Sequence, residues 1–260
     1  MPDDRPLTDL TAELTAMLGS IDPARRDETA YLVLATWISR GVYDDLLSGL
    51  GDGMAAGLAV GLGEKDSDNV FRRSFSALVL AECLRRNTVA DLLTTDKVLT
   101  WGDRLASWFL REQDLRGHVA DKGWAHAVAH GADALGALAA SPGVGAAELT
   151  VILDVISDRL HLSTHHRLVN GEPDRLAAAA MDVLRRNLVP LNVLEPWINR
   201  IASQGGALDP TARAFNAQAF LRGLNLQLSL GSPRPEFRSD LLLTLSEALR
   251  RTNSEYLTPR

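Results

Sequence analysis

The sequence predicts an all-α protein built from stacked antiparallel helix pairs, a HEAT-like α-solenoid with about 10–12 helices. Apolar residues recur at helical spacing almost from end to end, without the alternation that is typical of strands. Clusters of Gly, Pro and Asn interrupt this pattern about every 15 to 25 residues, as in helix hairpins. Aromatic residues make up only 5% of the chain. The core must therefore consist mainly of Leu, Ala and Val, a composition that favours helices over sheets.

Twelve helices are predicted, at roughly 40 residues per pair, which lies within the range of stacked helical repeats. Several starts carry an oxygen acceptor suited to a helix cap, at Asp22, Ser67, Thr95 and Asp209. No linker rich in Ser, Gly or Pro divides the chain, so we expect a single all-helical domain over residues 1–260. The predicted helices cover residues 7–18, 23–40, 42–50, 54–62, 68–86, 95–112, 121–140, 145–160, 173–187, 191–203, 209–230 and 235–252.

Composition and charge narrow the class of protein. The chain is 46% hydrophobic and 23% charged, as in globular proteins that bury a core. Twenty-seven Lys and Arg against 33 Asp and Glu give a net charge of −6, which disfavours a nucleic-acid partner. The longest apolar stretch, 54–62, is too short to cross a membrane. Residues 1–6 are mostly charged or Pro and do not resemble a signal peptide, so we expect a cytoplasmic location.

Short motifs exclude several chemistries. Cys83 is the only cysteine, so an intramolecular disulfide and a cysteine-rich zinc site are ruled out, and its apolar neighbours predict burial. Residues 51–56 fit the loose dinucleotide pattern G-x-G-x-x-A, but no strand precedes them. We therefore interpret them as a flexible helix start. The sequence has no phosphate-binding P-loop and no G-x-S-x-G elbow.

One segment, 116–133, is unusual in its histidines. On a continuous helix over 121–140, three polar side chains share one face: His126, His130 and Asp133. The apolar stripe lies on the opposite face and contains Trp124, Val128 and Leu135. An ordinary solvated face would carry Lys and Glu, whereas this one carries Ala and Gly around the imidazoles. The pattern favours a polar stripe that lines a groove, and small neighbours would leave room for a ligand to approach.

The trio of His126, His130 and Asp133 has three interpretations. Its spacing would let the side chains converge on a divalent ion, for which zinc is the natural choice. Ala127 stands where the H-E-x-x-H pattern needs a glutamate, so a peptidase of that type is excluded. A hydrogen-bond network that supports the fold or positions a ligand is the second interpretation. An ordinary solvated surface is the third.

A second polar cluster follows at residues 161–175. Gly171 and Asp174 suit a helix boundary, so much of this cluster is interpreted as a cap and loop. In the functional interpretation, it rims the same groove as the trio, where its cations would suit an anionic ligand. We count as candidate ligand-binding residues Arg73, Arg116, Lys122, Trp124, Glu172, Asp174 and Arg175. Arg72 and Arg73 are interpreted primarily as salt-bridged groups in solvent.

Several segments together resemble a known family. They are 69–80 (NVFRRSFSALVL), 116–117 (RG), 122–133 (KGWAHAVAHGAD) and 171–176 (GEPDRL). In order and spacing they are similar to the bacterial family known only as domain of unknown function 2785, over about residues 31–230. His118 and Pro173 depart from the family's usual residues. The resemblance implies a helical, repeat-like fold and no established biochemical role.

Two functions remain open from the sequence. The first is a binding module that holds a small molecule or peptide in a concave groove. The ligand would be anionic if the candidate Arg and Lys side chains face the groove. The second is an enzyme of unrecognised type, in which His126 or His130 acts as general base or metal ligand and Asp133 orients the imidazole. We prefer the binding module and expect no cofactor, with zinc as the exception if the enzyme interpretation is right.

Overall fold

A computed structural model describes residues 5–206 and 208–257 of the chain. These residues form twelve α-helices and one two-stranded antiparallel hairpin, which confirms the all-α prediction. The chain divides into two compact units, Met1–Ala134 and Leu135–Arg260, which are described separately. The prediction of a single domain stays a prediction.

The first unit begins with α1 (Leu7–Met17) and a π-helical segment (Ala24–Tyr31) that runs directly into α2 (Leu32–Ser39). A 3₁₀ turn (Asp44–Leu46) then leads into α3 (Leu47–Gly57). The longest helix, α4 (Asn69–Ala90), is followed by α5 (Thr95–Arg111). The hairpin consists of β1 (His118–Val119) and β2 (Gly123–Trp124), and α6 (Ala127–Ala139) contains the point where the two units divide.

Helix α4 forms the centre of the first unit. It packs against α2 and α3, and α3 in turn packs against α5. Its residues from Val70 to Leu84 are buried on almost every side, including Cys83, which is fully inaccessible as the sequence predicts. A helix buried all round in this way must satisfy its polar side chains internally. This requirement shapes the candidate site.

The second unit contains the end of α6 and six complete helices. The helices are α7 (Ala146–His161), α8 (Glu172–Arg185), α9 (Leu191–Ala202), α10 (Ala212–Leu230), α11 (Arg238–Thr252) and α12 (Ser254–Leu257). Helices α7, α8, α9 and α10 pack on one another, and α11 packs on α9 and α10. Packing between neighbouring helices agrees with the predicted helix pairs. Leucine and alanine dominate the buried apolar residues of the chain, also as predicted.

Some predicted boundaries are wrong for local reasons. The separate helices at 42–50 and 54–62 are one helix, α3, which contains Gly51 and Gly53 of the apparent dinucleotide motif. Thr94, not Thr95, caps α5, and Thr211 caps α10 because Asp209 bonds to the amide of Thr211 instead. Within 5–206 and 208–257, no helix is both long and apolar enough to cross a membrane.

Candidate functional site

The histidine-rich segment does not form the continuous helix that we predicted over 121–140. Residues 118–124 form the hairpin, and α6 begins only at Ala127. Asp121, Gly123 and His126 have left-handed backbones, with φ of 62°, 77° and 49°. A right-handed helix cannot pass through such residues. The helical-wheel placement of Trp124 and His126 is therefore wrong, and Trp124 is 41% exposed rather than buried.

Five rings from the hairpin, the residue before α6, α6 itself and α4 form a continuous series. Trp124 stacks on His126 at 4.2 Å between ring centroids, and His118 contacts the indole edge-on at 4.9 Å. His126 approaches His130 edge-on at 5.8 Å. His130 then meets Phe75 of α4 at 5.0 Å. We call His118, Trp124 and His126 the imidazole–indole cluster.

His130 is anchored inside the unit by Ser74 of α4. The Ser74 hydroxyl donates its proton to the carbonyl oxygen of Ala125. It must therefore accept at its oxygen from His130 Nδ1, 2.7 Å away. This arrangement fixes the proton of neutral His130 on Nδ1. Ser74 and His130 thus do not form a nucleophile–base pair, in which the serine would donate to the imidazole.

The hairpin is fixed to the helices by buried Arg26, a residue that sequence analysis missed. Its guanidinium donates to the carbonyl oxygens of Ser20 and Lys122, each at 2.8 Å, and lies over the Phe71 ring at 4.2 Å. Two backbone bonds close the base of the hairpin, from Ala125 N to Gly117 O and from His126 N to Arg116 O. Every one of these bonds restricts how the cluster can move.

Arg73 is not the solvent-exposed group or ligand contact that we predicted. It is fully buried and forms a two-pronged ion pair with buried Glu112, with N–O distances of 2.5 and 2.9 Å. Its remaining nitrogen donates to the carbonyl oxygens of Val60 and Gly61. Trp108 also donates to Glu112. Because all three of its guanidinium nitrogens bond inside the fold, Arg73 is a structural residue. Its neighbour Arg72 is part-buried and bonds to Thr15.

The other two predicted cations of the first unit are paired with carboxylates. Arg116 donates to both oxygens of Asp114 at 2.8 and 2.6 Å, and these hydrogen bonds raise the pKa of Arg116. Lys122 donates to both oxygens of Asp68 at 2.6 and 2.9 Å. Both charges are therefore locally balanced, so neither side chain offers an uncompensated charge to an anionic ligand.

The charge of Asp133 acts on the phenol of Tyr31. Tyr31 donates to Glu82 at 3.1 Å. Burial, as the largest cause, and the charges of Glu82 and Asp133 together raise the pKa of Tyr31 to about 12. The Tyr31 ring meets Phe75 edge-on at 6.3 Å, so it extends the series of rings beyond Phe75. Asp133 thus influences the far end of that series.

Helix α6 leaves less room than its small residues suggest. His130 is only 6% exposed, and Val128 and Leu135 are buried as predicted. A side chain at Gly131 would overlap the ring of Phe109, so the glycine admits an aromatic side chain of α5 rather than a ligand. Across the part of the chain that the structure describes, no group of three or more His, Cys, Asp or Glu is placed to hold a metal ion.

The candidate residues of the second unit lie at the start of α8. Glu172 is buried and accepts from the amide of Asn170 at 2.7 Å, so its carboxylate helps to close the preceding turn. Gly171 is left-handed, with φ of 88°, and its carbonyl accepts from the amide of Arg175. Asp174 and Arg175 are exposed. The predicted helix boundary is confirmed here, and the ligand-binding role of these residues stays a prediction.

Sequence analysis missed Arg26 and Ser74, which organise the site. The signal for Ser74 was available, since it lies within the family-like segment 69–80 in the middle of an apolar helix. A polar side chain in such a position needs an internal partner. Arg26 had no comparable signal, because its partners lie far away in the sequence.

The fold and site thus define an all-helical protein with a buried polar network beneath an exposed imidazole–indole cluster. The family model described as "Protein of unknown function (DUF2785)" matches residues 58–226, more than half of the chain, so the chain belongs to this family. The resemblance seen in the sequence is confirmed. No curated protein and no solved structure matches the chain. The bacterial origin and cytoplasmic location stay predictions.

Proposed function

We propose that this protein is a binding module that holds a small molecule or a peptide side chain on the imidazole–indole cluster. One observation carries the proposal: Trp124 is 41% exposed yet contacts two imidazoles, His126 by stacking and His118 edge-on. An exposed indole offers a flat apolar face, and imidazoles beside it can donate or accept hydrogen bonds. Such a combination recognises a ligand with a flat ring or sugar-like face and polar edges.

The rigidity of the hairpin supports this proposal. Three left-handed residues, Asp121, Gly123 and His126, give it a backbone that an unsupported loop would not keep. Contacts from Arg26 and Asp68 hold it in that shape. A binding surface that is ordered in advance loses less conformational entropy when the ligand arrives. The backbone strain at His126 is thus consistent with a selected function.

The charges around the cluster favour a neutral ligand. Arg116 and Lys122 are the cations that we expected to attract an anion, but each is paired with a carboxylate. An anion would have to compete with Asp114 or Asp68 for them. A polar, uncharged ligand would gain stacking and hydrogen bonds without that competition. We therefore propose a neutral ligand in place of the anionic ligand that the sequence suggested.

The alternative function is an enzyme that uses His130 as a general base. The bond from His130 Nδ1 to Ser74 supports it, because this bond leaves Nε2 as the unprotonated nitrogen of the neutral ring. The burial of His130 favours the binding module instead, since a general base must reach its substrate. His126 and Asp133 would position the substrate or the imidazole in that alternative.

We also infer that the neighbouring helix pairs are HEAT-like repeats. The rhythm of about 40 residues per pair supports this, as does the packing of α7 and α8 beside α9 and α10. A HEAT-like stack would present the hairpin as an insertion between repeats. Such insertions commonly supply the binding residues of repeat proteins.

A thermal-shift screen of neutral ring-bearing and sugar fragments tests the proposal. A fragment at about 100 times its Kd should stabilise the wild-type protein by about 2.7 kcal/mol. Trp124→Ala and His126→Asn should abolish that shift, and asparagine is chosen because it tolerates the left-handed backbone. The matched control, Trp37→Ala, removes a half-buried indole elsewhere in the same unit and should keep the shift. Equal shifts for all variants would refute the proposed site.

A further inference from the structure

A second candidate site lies in the second unit, between the loop after α7 and the start of α10. The structure has a cavity of about 360 Å³ there, near the lower end of the range for small-molecule pockets. Most of its lining side chains are basic or carry a hydroxyl: Ser163, Thr164, His165, Arg167, Thr211 and Arg213. This cavity shares no lining residue with the imidazole–indole cluster.

The charge of the cavity is opposite to that of the chain. No carboxylate is among its described lining residues, although the whole chain has a net charge of −6. Asp209 is the carboxylate that acts on Arg213, and its pKa is lowered first by its hydrogen bond from the amide of Thr211. Asp209 carries one negative charge, so it offsets only part of the two positive charges of Arg167 and Arg213.

The loop that forms one wall is anchored to α10. Buried Asn216 accepts from the amide of Leu168 at 2.8 Å and donates to the carbonyl oxygen of His166 at 3.1 Å. Arg167 donates to the carbonyl oxygen of Pro210 at 3.2 Å and lies over the Phe215 ring at 5.3 Å. The two sides of the cavity are therefore held together by specific bonds and not only by chain connectivity.

A buried polar atom in the same loop also lacks a partner. His166 Nε2 is inaccessible to solvent and makes no hydrogen bond within the described residues. Buried polar atoms in folded proteins are as a rule satisfied, so an unsatisfied one needs a reason. His166 is not among the lining residues of the cavity, so its unsatisfied atom is a separate feature of this loop.

We propose that this cavity binds the phosphate group of a small phosphorylated molecule. Arginine is suited to phosphate because its planar fork of N–H groups matches two phosphate oxygens. Arg167 comes from the loop and Arg213 from the start of α10, so a phosphate in the cavity could be bound by both elements. The hydroxyls of Ser163 and Thr164 and the ring of His165 add further hydrogen bonds. The volume leaves room for a small organic group beside the phosphate.

Isothermal titration of the whole chain tests this proposal with two probes, inorganic phosphate and glycerol 3-phosphate, and with glycerol as the neutral control. Arg213→Gln and the double variant Arg167→Gln/Arg213→Gln should bind both probes about tenfold more weakly or worse. Arg250→Gln, which removes an exposed charge from α11, should bind within about twofold of the wild type. Tighter binding of the monoester would show that the organic group is held as well, and equal binding would identify free phosphate as sufficient.

The single variant keeps the test decisive if the double variant fails to fold. Arg213 is exposed, so its replacement leaves the helices intact, as circular dichroism would verify. The proposal is overturned if neither probe binds the wild type at about 10 mM. It is also overturned if Arg213→Gln and Arg250→Gln bind the probes with equal affinity.

Discussion

The imidazole of His126 lies over the indole of Trp124 with their planes inclined by only 24°. The left-handed backbone of His126 makes this possible, because it turns the chain sharply between the hairpin and α6. The same residue starts the helix, since its carbonyl accepts from the amide of His130 at 2.9 Å. One backbone turn therefore both begins α6 and presents its ring to the exposed tryptophan.

Two serines two positions apart on α4 should respond in opposite ways to truncation. Ser74→Ala removes the hydroxyl that links Ala125 to His130, so it should lower the free energy of unfolding by about 1–3 kcal/mol. Ser76→Ala removes a buried hydroxyl that has no hydrogen-bond partner within the described residues. That change should be neutral or slightly stabilising. Urea unfolding of both variants checks the pair, and equal losses would show that the Ser74 bridge carries no net stability.

The buried ion pair between Arg73 and Glu112 should be costly to break. Glu112→Gln leaves the Arg73 charge without its balancing carboxylate in the core and should destabilise the protein by about 3–5 kcal/mol. The control is Glu13→Gln, which breaks an exposed pair with Arg5 and should change stability by no more than about 1 kcal/mol. Denaturant midpoints measure both effects. A small loss for Glu112→Gln would contradict the structural role of Arg73.

Two glycines of α3 provide a matched test of helix packing. A methyl group at Gly51 would overlap the indole of Trp101, whereas nothing lies near the same position at Gly53. Gly53→Ala should stabilise the protein by up to about 1 kcal/mol, because alanine is the better helix former. Gly51→Ala should instead destabilise it by about 1–3 kcal/mol through overpacking. Thermal unfolding compares the two, and similar shifts would show that α3 does not pack on Trp101 as described.

The phenol of Tyr31 predicts a loss of stability at alkaline pH. Its pKa is raised in the folded state, from 10.0 to about 12, by burial and by the charges of Glu82 and Asp133. The folded protein therefore holds this proton after the unfolded chain has lost it. The stabilising contribution of the protonated Tyr31 phenol to folding is complete below pH 10. It falls as pH rises from 10 towards 12. Tyr31→Phe should flatten this part of the stability curve, and an unchanged slope would contradict the assignment.

Much of the helical architecture could be predicted from the sequence, because it follows from local periodicity. The helices at 95–112 and 191–203 are each within about one residue of α5 and α9. Burial of Cys83 followed from its apolar neighbours. These features depend on residues that are close together in the chain, which is where single-sequence reasoning is strongest.

The candidate site was only partly predictable, because tertiary contacts override the local pattern there. Alanine-rich spacing around His126 favoured a helix, but contacts from Arg26 to Lys122 stabilise a hairpin instead. The burial of Arg73 depends on Glu112, which lies 39 residues further along the chain. Periodicity reports which residues share a face and does not report such distant partners. The segment was recognised as unusual, whereas its geometry required the structure.

The most direct test of the proposed binding module is the indole N–H signal of Trp124 in a ¹H–¹⁵N NMR spectrum during titration with neutral ring-bearing fragments. Trp124→Phe would identify this signal by removing it. The buried indole N–H groups of Trp101 and Trp197, bonded to Asp52 and to the Leu153 carbonyl, provide internal controls. We expect binding fragments to shift the Trp124 signal while these two stay in place. Fragments that bind without moving the Trp124 signal, or a library that contains no binder, would contradict the proposal.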